Sequence, residues 1–322
     1  MRRGTGLVVA CGWLVIAAGA SGPQPAAAGA PPAAAPIIDL DFGHISGPTV
    51  PDRSGSGNAG AGKKGPVGSE TSWSPTTTTD AQGATAVVFA GRQKQRIEIP
   101  NRMGGLDVNH FSILVRFTLN ESVDTDPAHQ RYEVMEKAGS FWFNVREDTI
   151  PRYRLRVGGF FNGHSADTFT GNRVIPNRAL TWAVATYDGA HLRTYVARGD
   201  GTHLALDRSV ARTGTLNTGA TITGIDENLV VGAKHRKGHA PGGTGTNELA
   251  QAFFNGTMSR FLVYATALTQ SQIAAVISGS ASSAKPAPPA AQNVIQQVRE
   301  RGRPALRRLA GRRYRPGRGT RP

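Results

Sequence analysis

The stretch Leu180-Thr181-Trp182-Ala183-Val184-Ala185-Thr186-Tyr187-Asp188-Gly189-Ala190-His191-Leu192-Arg193-Thr194-Tyr195-Val196 decides the fold class. Two runs rich in β-branched and aromatic residues flank an Asp-Gly pair, which tolerates the positive backbone dihedrals of a tight turn, so the stretch reads as a β-hairpin. In its first arm Trp182, Val184 and Thr186 alternate with Ala183, Ala185 and Tyr187. Trp182 is therefore assigned to the core rather than to a sugar-stacking platform.

Outward from this hairpin the chain keeps the same style. Runs rich in Val, Ile, Phe, Tyr and Thr occupy residues 37–42, 85–89, 96–99, 111–119, 141–145, 153–157, 192–197, 229–231 and 257–264, separated by Gly, Pro, Asn and Asp clusters. Such punctuation is that of an all-β sandwich or barrel. In residues 111–119 Phe111, Ile113, Val115, Phe117 and Leu119 form one apolar face, with Ser112, Arg116 and Thr118 on the other. A strand with one buried face gives this pattern. The one helical stretch is 269–277, opened by Thr269 as N-cap. There is no βαβ unit and no repeat at fixed period, and one domain over 36–280 is expected.

Four stretches, in order, resemble the laminin-G-like domains of the concanavalin A-like lectin and glucanase superfamily. Residues 49–60, with Asp52, Ser54, Gly55, Asn58 and Gly60, are similar to the family's D-x-S-G-x-x-N-x-G turn. Ala90-Gly91, then 96–100 and 111–119, resemble its F-D-G, I-x-I-P, F-T-I-S-x-W succession. The opening hairpin is close to W-x-H-V-A-x-T-Y-D-G-x-x-L-R-L-Y-V, and residues 254–269 resemble F-x-G-x-I-D-E-V-R-I-Y-x-R-A-L-S. The resemblance implies a two-sheet antiparallel jelly-roll sandwich with one short C-terminal helix. It also implies calcium at a loop rim, with Asp52 and Asn58 as the candidate ligands. Gly43 and Ser259 stand where many relatives have Asp, and Asx residues in turns commonly hydrogen-bond their own loop. No cofactor is required by the sequence, and calcium is the one candidate.

The ends are different in kind. Arg2 and Arg3 precede an apolar run at 7–18 followed by small residues, the layout of a secretory signal peptide over 1–28. That run is shorter than the roughly 18–20 apolar residues that span a bilayer. An Ala/Pro-rich linker at 29–35 follows. Cys11 is the only cysteine, so a cleaved product has neither disulfide nor thiol chemistry and takes its stability from the core. The chain of 322 residues has a formal net charge of +15, but the eleven basic residues from Lys285 onward, against Glu300, carry +10 of it. Removing that and the +2 of Arg2 and Arg3 leaves +3 for everything between, so specific nucleic-acid recognition by the domain is not expected. Residues 281–322 read as a disordered Arg-rich tail suited to an anionic surface or polymer.

Chemistry points to binding. Glycosidases of this architecture place carboxylates as Glu-x-Asp-x-x-Glu on one strand, and no such array occurs. Glu133 and Glu136 frame Val134-Met135 at another spacing, and Asp226-Glu227 reads as a loop. The segment Glu136-Lys137-Ala138-Gly139-Ser140-Phe141 is similar to a strand of jelly-roll alginate lyases, but no Gln-x-His supplies the partners. No catalytic residue is assigned. Trp142, Tyr153, Phe160, Phe161 and His164 gather in one strand-loop-strand region and are candidate sugar-stacking residues, with core packing the competing account. His235 and Arg236, in a basic Gly- and Pro-bounded loop, are candidates for the rim of an anionic-glycan site. The expectation is a secreted or wall-associated monomeric module for a polysaccharide or glycoprotein. A protein-protein interaction domain is the alternative, and a polysaccharide hydrolase or lyase the more distant one.

Overall fold

A computed structural model describes residues 34–279, apart from 66–68, 102–104, 121–130, 138–139, 150–151, 162–165, 213–215, 217–227 and 235–251. The expected signal peptide and the Arg-rich tail lie outside the described residues, as do Cys11, His164, His235, Arg236 and the Asp226-Glu227 pair. Among the described residues no helix is long and apolar enough to cross a membrane.

The strands in chain order are β1 (Ile38–Asp39), β2 (Thr49–Val50), β3 (Gly60–Lys64), β4 (Thr71–Ser72), β5 (Thr77–Thr79), β6 (Thr85–Phe89), β7 (Arg96–Ile99), β8 (Phe111–Leu119) and β9 (Arg131–Lys137). They continue with β10 (Phe141–Thr149), β11 (Arg152–Phe160), β12 (Ala166–Ile175), β13 (Thr181–Tyr187), β14 (His191–Arg198), β15 (Ala205–Ala211), β16 (Leu229–Val231) and β17 (Gly256–Tyr264). One helix, α1 (Gln270–Ile277), follows. The first sheet runs β15-β14-β13-β8-β17-β6-β5, with β1 on β17; the second runs β12-β11-β10-β9-β16-β7-β3-β2, with β4 on β3. Every pairing is antiparallel. The expected two-sheet sandwich with one short helix is what the chain forms.

The quoted hairpin is β13 and β14. Gly189 takes φ +90°, and Asp188 Oδ1 accepts from the N–H groups of Ala190 (2.9 Å) and His191 (2.6 Å), closing the turn. Between the sheets the apolar face of β8 meets β10, where Phe111 stacks on Phe141 with centroids 4.7 Å apart. The opposite face of the first sheet is not left to solvent. Leu114, Trp182, Val184, Leu262, Tyr264 and Leu268 form a second apolar cluster with Ile273 of α1. Trp182 is buried as expected, but beneath the helix rather than between the sheets. Thr269 caps α1 with a reciprocal box: its hydroxyl accepts from Gln272 N–H (3.3 Å) and its own N–H donates to Gln272 Oε1 (2.9 Å).

One polar clamp ties the two sheets at their edges. Asp207 on β15 accepts from Asn172 N–H (2.8 Å) and Arg173 N–H (2.6 Å) on β12, and from the Thr194 hydroxyl (3.0 Å). A side chain at Gly171 would place its Cβ 1.9 Å from Asp207 Oδ2, so this approach requires glycine.

Candidate functional site

Alternation along a strand sends neighbours to opposite faces, and the register then sets which outward residues lie side by side. On β10 Phe141, Phe143 and Val145 face the core, which turns Trp142, Asn144 and Arg146 outward. On β11 Tyr153, Leu155, Val157 and Gly159 face inward, so Arg154, Arg156, Gly158 and Phe160 share that outer face. Three rows cross the sheet. Trp142 lies between Gly158 and Glu136, Asn144 lies between Arg156 and Glu133, and Arg146 is opposite Arg154.

Glu133 and Glu136 share this face because β9 is bulged. Phe143 pairs with Met135 but Asn144 pairs with Glu133, so Val134 is one residue extra and shifts the alternation by one. The irregularity sits where β9 changes neighbours: Gly232 N–H donates to Val134 O (3.0 Å), and Glu133 N–H donates to Ala252 O (2.9 Å). Their spacing remains different from Glu-x-Asp-x-x-Glu, and they reach one face only through this bulge. Both side chains are nearly buried, at 1 % and 5 % exposure. Asn144 Nδ2 donates to Glu133 at 3.3 Å, and Asn144 Oδ1 has no hydrogen-bond partner among the described residues.

The aromatic candidates divide by parity. Trp142 and Phe160, both part-exposed, meet edge to face with centroids 5.5 Å apart. Gly158 stands opposite Trp142 and contributes no side chain over the indole. Tyr153 and Phe161 are core residues instead: Tyr153 packs against Tyr132 (5.6 Å) and Phe161 against Tyr187 (5.1 Å). Adjacent residues on a strand point to opposite sides, so Phe160 and Phe161 could not both be outward. Sequence reasoning missed Arg146, Arg154, Arg156 and Asn144, although all four alternate with Val145, Leu155 or Val157 and so carried the signal of an outward row.

The calcium candidates form a loop staple. Asp52 Oδ1 accepts from Asp39 N–H (2.9 Å) and Ser54 N–H (3.0 Å), while Oδ2 accepts from the Ser54 hydroxyl (2.7 Å) and Asn58 N–H (2.9 Å). Asn58 Nδ2 donates to Ile37 O (2.8 Å). Nearby Asp39 is flanked by Arg53 (3.4 Å) and Arg260 (3.2 Å); burial pushes its carboxyl up, against the opposing pull of these guanidinium groups. Among the described residues no group of three or more His, Cys, Asp or Glu side chains is placed to hold a metal ion.

No protein-family profile matches the chain, and no curated protein matches it. Solved structures do. Domain 4 of AbnA, a GH43 extracellular arabinanase from Geobacillus stearothermophilus, in complex with arabinotriose, is 16 % identical with a TM-score of 0.49, covering 77 % of this chain and 98 % of that one. The binding domain of botulinum neurotoxin DC in complex with SialylT is 9 % identical with a TM-score of 0.47, covering 77 % of this chain and 51 % of that one. This chain thus spans about half the length of the toxin domain. At these identities and scores neither likeness carries a residue, a ligand or a family over to this chain.

Proposed function

We propose that the protein is an exported glycan-binding module, a sandwich of the laminin-G-like kind, with its ligand lying across the outer face of β10 and β11. The observation that carries this reading is the part-exposed Trp142–Phe160 pair beside the side-chain-free Gly158. Sugar rings stack on such aromatic faces, while guanidinium groups like those of the part-exposed Arg154 and Arg156 bond the hydroxyls. Export is supported by the Arg2-Arg3 start and the apolar run behind it. Glycan-array profiling of the full chain, with Trp142→Ala alongside, tests the reading. Binding that free sugar competes away and that Trp142→Ala abolishes is the expected result; retention of a protein partner unaffected by any sugar is the result against it.

A second reading, a polysaccharide hydrolase, is favoured by one observation: the bulge puts Glu133 and Glu136 on the same outer face. Two carboxyls flanking a glycosidic bond are what acid-and-nucleophile chemistry requires. Release of reducing ends from a polysaccharide panel, lost in both Glu133→Gln and Glu136→Gln, would establish it over pure binding.

A further inference from the structure

We propose that the ligand of this face is an anionic glycan, its carboxylate or sulfate groups held by Arg146, Arg154 and Arg156; the inference rests on the glycan-binding reading above. Arg146 and Arg154 are direct cross-strand partners, and Arg156 is the next outward residue along β11. Like charges placed opposite each other on one sheet face repel, and an anionic group bound between them offsets that repulsion. Glu133 supplies one carboxylate, in the row of Arg156 and Asn144. Arg146, by contrast, is exposed and lies at the far side of the row from Trp142.

The chemistry at the two ends of the face is complementary to one class of ligand. Trp142 and Phe160 offer apolar ring contact, and the arginine end offers planar forks matched to carboxylate or sulfate oxygens. Arg146 lies four residue steps along β10 from Trp142, a span of about 13 Å at ~3.3 Å per residue, which suits an oligosaccharide rather than a single sugar. Arg154 and Arg156 are half-buried and engaged with neighbours, which limits the side-chain freedom lost when a ligand arrives. A purely neutral polysaccharide would leave this end of the face unused.

Calorimetric titration of the full chain with an oligogalacturonate, a sulfated oligosaccharide and a neutral gluco-oligosaccharide of equal length tests the assignment. The charged oligomers should bind about tenfold more tightly than the neutral one, and whichever of the two binds identifies carboxylate or sulfate as the recognised group. Arg146→Gln and Arg156→Lys should each weaken the charged oligomer about threefold to tenfold and leave the neutral one unchanged, whereas Trp142→Ala should weaken both. The basic tail is common to wild type and variants, so its contribution cancels in the variant-to-wild-type ratios, which carry the assignment to the arginine end of the face. Arg146 is exposed, and an unaltered unfolding midpoint for Arg146→Gln confirms that the variant folds. Binding of no glycan at all overturns the glycan-binding reading itself. Equal affinity for neutral and charged oligomers, charged binding indifferent to Arg146→Gln, or equal competition by a single-stranded oligonucleotide overturns the anionic assignment alone.

Discussion

The two outer faces of the sandwich carry one prominent tryptophan each and treat it oppositely. On the first sheet Trp182 is 3 % exposed, sealed by Ile273 and Leu268 at the end of the described residues, with Arg116 5.6 Å from its ring. On the second sheet Trp142 is part-exposed, beside a glycine and at the head of a row of amide, carboxylate and guanidinium groups. A tryptophan's type says little; what covers it decides whether it stabilises the fold or meets a ligand.

Substituting the two residues should separate these roles. Trp182→Ala removes a buried indole from the cluster beneath α1 and should cost about 3–5 kcal/mol in urea unfolding. If the loss is no larger than for Trp142→Ala, the helix does not seal that face. Asp52→Ala comes next, at about 2–3 kcal/mol, because its carboxylate gathers donors from Asp39, Ser54 and Asn58. Calcium or a chelator should leave the wild-type midpoint in place; a calcium-dependent rise that Asp52→Ala abolishes would return the loop to metal binding. Trp142→Ala should then cost only about 1 kcal/mol while glycan binding is lost, which places function and stability on different faces.

The opening hairpin was legible down to its turn, and so were β6, β7, β8 and β16, whose bounds match runs read from the sequence. Apolar residues at every second position, or an uninterrupted apolar run, are a local signal. β9, β12 and β15 were not read as strands. Each is rich in charged or hydroxyl side chains, and their strand character comes from pairing with neighbours distant in sequence. For the site, Trp142 and Phe160 could be picked out by type, but the rows could not. That Glu133 and Glu136 point the same way depends on one extra residue in β9, and that Arg146 faces Arg154 depends on the β10–β11 register. Neither is written in the local pattern, because a bulge preserves the residues while changing their phase.

The smaller effects sharpen the contrast further. Burial works to raise the Asp188 carboxyl, but hydrogen bonds from Arg193, Ala190 N–H and His191 N–H, with the Arg193 charge, hold it down to about 2. A depressed folded value means that the hairpin's ion pair stabilises the fold above the ordinary value of 3.8 and loses that contribution as pH falls through about 2. The pair is part-exposed and solvent-screened, so acid titration of stability should show only a few tenths of a kcal/mol from it, absent in Arg193→Ala. Deleting residues 281–322 should leave the unfolding midpoint unchanged and remove any retention on anionic cell surfaces that falls steeply with salt. Equal retention of the truncated chain at every ionic strength would move attachment to the sandwich.

The position of α1 also gives the molecule a direction. Ile277 lies against the turn at Gly201, and Gln270 reaches Leu204 O, so the chain leaves the described fold at Gly279 from the side of the first sheet. Trp142, Phe160 and the arginines look the other way. A fusion partner joined at Gly279 would therefore start from the side opposite Trp142 and Phe160, the placement that interferes least with binding at the proposed face.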